Sequence, residues 1–404
     1  MTKEKSTEPR LRFPGFTDAW KQRKAMDIFK PVSDKGYTDL PILSASQEYG
    51  MVRRDEIGID IKFDKEAIVN YKRVLPEQFV IHLRSFQGGF AWSEIEGLTS
   101  PAYTILDFRE INSSKFWQYV LTSPNFIKKL ETVTYGIRDG RSISYSDFST
   151  LGFIVPTLPE QEAIGSFFSD LDQLITLHQR KLDSVKEMKK ALLQKMFPKG
   201  NGNDFPELRF PEFTDAWKQR KLGEVAERVS QKNLDRQYVE TFTNSAEFGI
   251  ISQRDFFEKN ISSLENLSGY YVVNPDDFVY NPRISNLAPV GPIKRNKLGR
   301  VGVMSPLYTI FKFTDMNLDF VEKYFDTTIW HRYMELNGDS GARSDRFAIK
   351  DSVFRGLPIP HPSLPEQEAI GSFFSDLDQL ITLHQRQLDH LKLLKKALLQ
   401  QMFI

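Results

Sequence analysis

The chain has 404 residues, a length that predicts two or more domains, each with its own core. Of these residues 40% are hydrophobic and 26% are charged, which is typical of a folded protein. The 54 Lys and Arg residues nearly balance the 53 Asp and Glu residues, so the formal net charge is only +1. Cysteine is absent, which excludes disulfides and thiolate metal sites. The polar start lacks the apolar core of a signal peptide and no apolar run could span a bilayer, so we expect a cytoplasmic protein.

The first predicted segment, residues 1–24, contains a motif that occurs twice in the chain. Leu11–Lys24 returns as Leu208–Lys221 with one change, from Gly15 to Glu212. Repeats of this kind indicate that the architecture itself is duplicated. The basic cluster that ends each copy is most simply interpreted as a solvated face.

Residues 25–157 form the first predicted globular domain. Short β-rich runs at Gln78–Leu83 and Tyr103–Leu106 precede a helical stretch at Ser114–Val120. Strands followed by helices, with turn residues between them, predict an α+β domain.

Residues 158–198 are predicted to form a long helix, because apolar residues recur every seven positions from Pro159 onward. We expect a coiled-coil seam with a first column at Ile164, Leu171, His178, Val185 and Leu192 and a second column at Phe167, Leu174 and Met188. Thr157 and Glu160 have capping-box spacing at its start. At about 1.5 Å per residue such a helix is about 57 Å long. His178 is interpreted as a tolerated polar seam residue, and metal-ligand spacing is not evident around it.

Residues 199–221 are a linker that repeats the opening segment, and residues 222–363 form a second domain that is a diverged copy of the first. Glu247–Gly249 matches Glu48–Gly50, and other short matches follow in the same order. The β-rich runs Asp277–Asn281 and Leu307–Phe313 precede a helical stretch at Leu318–Phe325. The offset between the copies grows from 197 to 206, so the second domain carries nine extra residues.

The second domain contains a run without acidic residues, from Phe278 to Thr314, that we interpret as bearing a long exposed basic loop. Both domains also carry a Gly-x-Arg-x-x-Arg motif, and arginine suits guanine edges and phosphates. The candidate DNA contacts are Arg84, Gln87, Arg138, Arg141, Arg283, Asn286, Lys294, Arg295, Lys297, Arg300, Arg343 and Arg346. A solvated loop, and salt bridges to Asp139 or Asp345, are the alternatives.

The last segment, residues 364–404, is predicted to be a second long helix. Leu364–Arg386 repeats Leu158–Arg180 without a change, and Ser363 and Glu366 repeat the capping-box spacing. Its first seam column is Ile370, Leu377, His384, Leu391 and Leu398, and Phe373, Leu380 and Leu394 accompany it. Since neither apolar stripe can stay in water, we expect the two helices to pack antiparallel, giving a circular, pseudo-twofold organisation with one α+β domain at each end.

Catalytic motifs are absent from the sequence. It contains no phosphate-binding glycine loop, no HExxH zinc motif, no nucleophile elbow and no methyltransferase motif pair. We therefore expect a non-catalytic protein without a metal or cofactor of its own.

The duplicated order resembles that of the specificity (S) subunits of type I restriction–modification systems, across essentially the whole chain. The resemblance lies in Phe13–Trp20 and Phe210–Trp217, and in Phe148–Gln161 and Phe354–Gln367, which lead into the long helices. It implies that each domain is a target-recognition domain for half of a split DNA site and that the helices are a spacer between them.

The resemblance also implies double-stranded DNA, two methyltransferase (M) subunits and restriction (R) subunits as partners. S-adenosylmethionine would then bind the M subunits, which methylate adenine N6, and ATP with Mg²⁺ would bind the R subunits. The low net charge fits M subunits that share the grip on DNA. Two alternatives remain open at this point: a pseudo-symmetric scaffold for protein partners that reads no DNA, and a stand-alone nuclease or methyltransferase.

Overall fold

The computed structural model describes residues 8–46, 49–56, 65–82, 89–131, 143–199, 205–257, 264–339 and 345–403. The chain divides into unit 1, which comprises Met1–Arg180 and Arg386–Ile404, and unit 2, which comprises Lys181–Gln385. Within the described ranges, every helix is too short or too polar to cross a membrane.

Unit 1 is built around a four-stranded antiparallel sheet. Its elements are β1 (Lys21–Lys24), α1 (Ala25–Ile28), β2 (Phe29–Val32), β3 (Leu43–Ser46), β4 (Gly50–Arg53), β5 (Lys72–Val74), β6 (Phe79–Ile81), β7 (Phe90–Trp92), β8 (Gly97–Thr99), β9 (Thr104–Phe108), α2 (Ser114–Thr122), α3 (Pro124–Glu131), α4 (Tyr145–Ser149), β10 (Gly152–Val155) and α5 (Leu158–Lys195). The sheet order is β2-β9-β6-β7. The β6 and β9 strands and the α2 helix lie where the sequence predicts them, so these predictions are confirmed.

The central sheet of unit 1 is buried on both faces, which explains why its strands are continuous apolar runs rather than alternating ones. Phe79 and Leu106, which are paired across β6 and β9, face a core that includes α2 and α5. Val80 and Ile105, the next pair, face a smaller core beneath the β3–β4 hairpin. Two apolar layers thus hold the sheet between the helices and the hairpin.

Unit 2 repeats this arrangement, and only α7 lacks a counterpart among the described residues of unit 1. Its elements are β11 (Lys218–Lys221), α6 (Leu222–Val225), β12 (Ala226–Val229), β13 (Phe242–Ser245), β14 (Gly249–Ser252), α7 (Gln253–Phe257), β15 (Tyr271–Val273), β16 (Phe278–Tyr280), β17 (Ile293–Arg295), β18 (Gly302–Met304), β19 (Thr309–Phe313), α8 (Leu318–Phe325), α9 (His331–Asn337), α10 (Asp351–Phe354), β20 (Pro358–His361) and α11 (Leu364–Met402). Its sheet order, β12-β19-β16-β17, matches that of unit 1. The predicted strands β16 and β19 and the predicted helix α8 are confirmed.

The repeated opening segment supplies a strand to each unit. In unit 1, Lys21 pairs with Val155, so β1 runs antiparallel to the strand that leads into α5. In unit 2, Lys218 pairs with His361 in the same way. All four side chains of each basic strand are exposed, as expected for a solvated face.

The two long helices have the predicted lengths, with 38 residues in α5 and 39 in α11. Among the predicted first-column residues, those near the helix starts are buried and the others are half-buried. The buried ones are Ile164, Leu171, Ile370 and Leu377, and the half-buried ones are His178, Val185, Leu192, His384, Leu391 and Leu398.

The predicted second column of the seam holds only at its first members, because Phe167 and Phe373 pack half-buried against the two cores while the later members are exposed. The Leu174 and Met188 side chains are 40% and 47% exposed, whereas Phe168 and Leu182 are 0% and 1% exposed. The second column therefore follows the first by four residues and not by three. In heptad terms, the residues of the first column occupy d positions, and Phe168 and Leu182 occupy a positions.

Each unit contains segments of both long helices in contact. In unit 1 the Phe168 and Phe403 rings lie 5.7 Å apart, and Lys395 Nζ lies 2.5 Å from Asp172 Oδ1, so these two segments run in opposite directions. In unit 2 the equivalent pair, Lys189 Nζ and Asp378 Oδ1, is 2.6 Å apart.

Candidate nucleic-acid interface

A buried carboxylate at the start of each long helix holds the repeated opening segment. In unit 1, Arg12 donates to both oxygens of Glu160 at 2.6 and 2.8 Å, and Trp20 Nε1 donates to the same carboxylate at 3.2 Å. In unit 2, Arg209 donates to both oxygens of Glu366 at 2.6 and 2.8 Å, and Trp217 Nε1 donates to the same carboxylate at 3.0 Å. The predicted capping-box role of these two glutamates is wrong, because a bidentate charge-assisted pair binds each carboxylate instead.

The glutamine that follows each glutamate holds the domain helix in place. Gln161 Oε1 accepts the backbone N–H of Ser113, the N-cap of α2, at 3.1 Å, and its Nε2 donates to the Pro156 carbonyl at 3.2 Å. Gln367 makes the same two bonds in unit 2, to the N-cap of α8 and to a proline carbonyl, both at 3.0 Å. The repeated Leu-Pro-Glu-Gln sequence therefore connects each domain to its long helix.

A third junction uses an identical aspartate but a different domain side chain in each unit. In unit 1, the Tyr119 hydroxyl donates to Asp172 at 2.8 Å. In unit 2, the almost fully buried Lys323 donates to Asp378 at 2.5 Å. Burial alone would lower the pKa of Lys323, but nearby carboxylates, including Asp326, raise it above its ordinary value. The same helix surface thus accepts a neutral donor in one domain and a cation in the other.

The structure brings two predicted DNA contacts of unit 2 together. Arg283 and Arg346 form an isolated antiparallel bridge, in which Ile284 N–H donates to the Asp345 carbonyl at 3.1 Å and Phe347 N–H donates to the Pro282 carbonyl at 2.8 Å. The Arg283 side chain is exposed and that of Arg346 is one-third exposed. Both residues therefore lie at one end of the unit 2 sheet.

The connection between β16 and β17 is exposed at only some of its residues, which include Arg283 and the tip. The backbone groups of Ser285 and Ala288 bond each other at 3.1 and 3.0 Å, which closes a tight turn. The tip residues Asn286 and Leu287 are exposed, whereas Val290 is buried and its carbonyl accepts the Tyr280 hydroxyl at 2.9 Å. The prediction of a long exposed loop is therefore correct only in part, because Ala288 and residues 290–293 are buried.

Four further predicted basic contacts of unit 2 form ion pairs inside the unit. Lys294 contacts Asp326 at 2.7 Å, Arg295 contacts Asp276 at 2.5 Å and Asp319 at 2.7 Å, Lys297 contacts Glu322 at 3.2 Å, and Arg300 contacts Glu240 at 2.7 Å. Most of these acids lie on or at the end of α8, so they neutralise a stretch that has no acidic residue of its own. The exposed cations left at this end of the sheet are fewer than the sequence indicates.

Five predicted contacts lie outside the described residues: Arg84, Gln87, Arg138, Arg141 and Arg343. They stay predictions. In the described part of the chain, no three His, Asp or Glu side chains lie close enough together to hold a metal ion.

Two groups of residues near this end of unit 2 were missed by the sequence reasoning. Asn281 Nδ2 donates to the Asn244 carbonyl at 2.8 Å and joins the β13–β14 hairpin to the loop that carries Arg283. A cleft of about 1020 Å³ beside Arg346 is also lined by Arg228 and Lys350. Neither group stands out in the sequence, because the residues that meet here come from distant segments.

Comparisons with known proteins agree with the duplicated architecture. The model of the family described as "Type I restriction modification DNA specificity domain" matches the chain twice, over residues 18–187 and 214–393. The type I restriction enzyme MjaVIII specificity subunit of Methanocaldococcus jannaschii is 23% identical over 263 residues, which are 62% of this chain and 61% of that relative's length. The matched region thus spans about three fifths of the relative.

Solved structures share the fold at low sequence identity. A type I restriction–modification system S subunit from M. genitalium has a TM-score of 0.56 at 14% identity, with coverage of 98% of this chain and 99% of that chain. A structure reported for complex assembly and conformational transition of the type I R-M system has a TM-score of 0.51 at 14% identity, with 95% and 97% covered.

Proposed function

Because the chain belongs to the family of type I restriction modification DNA specificity domains, we propose that it is the non-catalytic specificity subunit of a type I complex. It reads a bipartite target on double-stranded DNA, with one half-site for each α+β domain. Two M subunits that carry S-adenosylmethionine then methylate adenine N6, and R subunits that use ATP and Mg²⁺ cleave DNA.

One observation supports this proposal above the others: each opening segment and each domain is attached to an identical helix start by equivalent contacts. The Arg12–Glu160 pair and the Arg209–Glu366 pair are the same to within 0.1 Å. The domains themselves differ in their exposed loops, as two domains must if they read different half-sites. Two domains that are attached by equivalent contacts but differ in their loops suit a protein that holds two recognition domains at a constant spacing along the duplex.

At the DNA-facing end that we propose for unit 2, Arg283 and Arg346 supply the charge for phosphate or guanine contacts, and Asn286 supplies an amide that can pair with adenine. Lys294 and Arg295, which already have internal partners, would hold the β16–β17 hairpin in place. We expect the equivalent end of unit 1 to use Arg84, Gln87, Arg138 and Arg141.

A second candidate function is a scaffold that organises two protein partners and does not read DNA. The internal pairing of Lys294, Arg295, Lys297 and Arg300 and the net charge of +1 favour it. Duplex binding that weakens steeply with salt would favour the specificity subunit, because phosphate contacts release counterions.

The experiment that tests the proposal is co-expression of the chain with its neighbouring methyltransferase gene, followed by mapping of N6-methyladenine across the host genome. We expect methylation at a split motif with a fixed gap. A stable complex without any methylated motif would contradict the proposal and favour the scaffold.

A further inference from the structure

Each unit contains one aspartate at which three helices meet. In unit 1, Asp172 of α5 accepts a hydrogen bond from the Tyr119 hydroxyl of α2 at 2.8 Å through Oδ2, and its Oδ1 lies 2.5 Å from Lys395 Nζ of α11. Lys395 Nζ also lies 5.2 Å from the centre of the Tyr119 ring. The domain helix, the start of one long helix and the end of the other therefore share a single carboxylate.

Unit 2 has the same junction with a different donor from the domain. Asp378 of α11 accepts from Lys323 of α8 at 2.5 Å through Oδ2, and its Oδ1 lies 2.6 Å from Lys189 Nζ of α5. The aspartate and the long-helix lysine are the same residue types in both repeats, whereas the domain donor changes from tyrosine to lysine. In both units each oxygen of the carboxylate thus contacts a different helix.

This junction is the second of two polar points that attach the domain helix. Gln161 holds the start of α2 through the backbone N–H of Ser113, and Asp172 holds α2 six residues further along, at Tyr119. A helix held at one point can pivot about it, whereas two points define its direction. Asp172 also contacts α11, so it relates the direction of the domain to both long helices.

The aromatic rings around the junction supply contact area but little direction. The Tyr119 and Phe168 rings lie 5.1 Å apart, and the Phe116 and Phe403 rings lie 5.6 Å apart. Apolar packing is non-directional, whereas a hydrogen bond weakens steeply as its angle departs from linearity. The polar contacts of Asp172 are therefore the part of the junction that restrains rotation of α2 against the long helices.

Stability alone does not account for this aspartate. The Lys395 and Asp172 side chains are 25% and 37% exposed, and an ion pair at that exposure contributes little to the free energy of unfolding. The lysine–aspartate pair nevertheless occurs in both units, although the domain partner of the carboxylate differs. A contact that adds little stability but is made twice with the same geometry suits a positioning role.

We propose that Asp172 and Asp378 are positioning residues that fix the direction of each domain on the long helices, and thereby the gap between half-sites that the protein accepts. The inference rests on the proposed function. One additional base pair in the gap moves a half-site by about 3.4 Å along the duplex and turns it by about 35° around the axis. A domain that is fixed at two points cannot follow this change, whereas a domain that pivots about Gln161 can.

The test measures methylation by the complex of this chain with its methyltransferase partner, once the wild-type motif has been mapped. The DNA carries the two half-sites at the wild-type gap and at gaps one base pair shorter and longer. Asp172→Ala loses both contacts, Tyr119→Phe loses only the domain donor, and Lys395→Arg keeps the ion pair. We expect Asp172→Ala to methylate the altered gaps roughly 10-fold more than wild type does, the scale of one lost charge-assisted hydrogen bond. Tyr119→Phe should change in the same direction, Lys395→Arg should match wild type, and the half-site sequences should stay the same in all variants.

Val80→Ala is the matched control for stability. Val80 is fully buried in the smaller core beneath the β3–β4 hairpin and not in the core that includes α2. We expect this variant to unfold at a lower urea concentration than wild type but to keep the wild-type gap. Tyr119→Phe, which removes a single oxygen, decides the question if Asp172→Ala does not fold.

The outcomes separate this inference from the proposed function. If Asp172→Ala and Tyr119→Phe keep the wild-type gap preference, the positioning role is overturned and the proposed function stands. The same conclusion follows if Val80→Ala accepts the altered gaps as readily as Asp172→Ala at an equal unfolding midpoint. If wild type methylates no split motif, both are overturned.

Discussion

At the scale of single residues, the buried carboxylates Glu160 and Glu366 show most directly how a repeated sequence motif holds the fold together. The sequence places each correctly at the start of a long helix but assigns it the wrong partner. Its true partner, Arg209 for Glu366, lies 157 residues away in the chain. A local spacing rule detects only neighbours, and here a distant guanidinium, whose bidentate geometry matches a carboxylate, binds instead.

Replacement of Glu366 by Gln is expected to destabilise the protein by about 3 kcal/mol, because it leaves the largely buried Arg209 guanidinium without a counter-charge. Urea unfolding followed by circular dichroism measures the effect. The double variant Glu366→Gln with Arg209→Met is the control, and it should recover part of the loss because the uncompensated charge is gone. A single variant as stable as wild type would contradict the view that this pair fixes the opening segment.

Single residues also show why the surface that we propose to contact DNA could be predicted only in part from the sequence. The acid-free run that contains Lys294, Arg295 and Lys297 indicates a positive patch when it is read along the chain. The acids that balance it, Asp319 and Glu322, lie on α8, and only the folded unit brings them to the basic strand. The pairing of Arg283 with Arg346 is equally invisible in the sequence.

At the scale of elements, the sequence predicts both long helices and two strands and one helix of each domain, but it does not predict the other strands and helices or the buried face of the long helices. Apolar residues in α5 occupy two adjacent columns, one with Leu174 and Met188 and one with Phe168 and Leu182. Both columns repeat every seven residues, so periodicity cannot choose between them. The buried column is the one that contacts the domain and the other long helix, and these contacts exist only in the folded protein.

Lys323 on α8 is one of the contacts that join the second domain to α11, and its environment gives the stability of unit 2 a dependence on pH. Burial would raise the pKa of Asp378, yet Lys189 and Lys323 hold it below its ordinary value. Burial would likewise raise the pKa of Asp326, but Lys294 and Lys323 hold it below its ordinary value. A carboxylate with a lowered pKa stabilises the fold above its ordinary pKa and loses that contribution as pH falls below about 4.

Replacement of Lys323 by Met is therefore expected to cost about 3 kcal/mol at pH 7, because it removes a buried cation from three carboxylates. The difference from wild type should shrink as pH falls below about 4, because the stability that comes from the lowered pKa values of Asp326 and Asp378 is lost as these carboxylates take up protons. Free energies of unfolding in urea at several pH values measure this. Lys323→Arg should behave like wild type, and Tyr119→Phe, at the equivalent position of unit 1, should not alter the acid dependence. A difference that stays constant from pH 7 to pH 3 would contradict the assignment.

At the scale of the whole molecule, the contacts that attach each domain to a long helix are separate from the exposed ends that we propose to contact DNA. Attachment uses Glu160, Gln161 and Asp172 and their repeats in the second long helix, which contact only a few positions of each domain. Those positions tolerate variation, since Ser113 corresponds to Asn317 and Tyr119 to Lys323. The exposed ends of the domains make none of these contacts, so their loops are free to change without loss of the junction.

Exchange of residues 25–157 for the corresponding domain of another family member is therefore expected to give a folded chain that changes one half of the methylated motif and leaves the other half and the gap unchanged. The graft keeps a Ser or Asn N-cap for the bond to Gln161 and a donor for Asp172, since both contacts are made by the helix that follows the sheet. Mapping of N6-methyladenine after co-expression with the methyltransferase measures the result. The matched control is a graft in which the donor at position 119 is Phe, which should reduce stability while the new half-site is retained. A change in both halves of the motif would show that the two domains do not read DNA independently, because nothing in the graft alters the loops of unit 2.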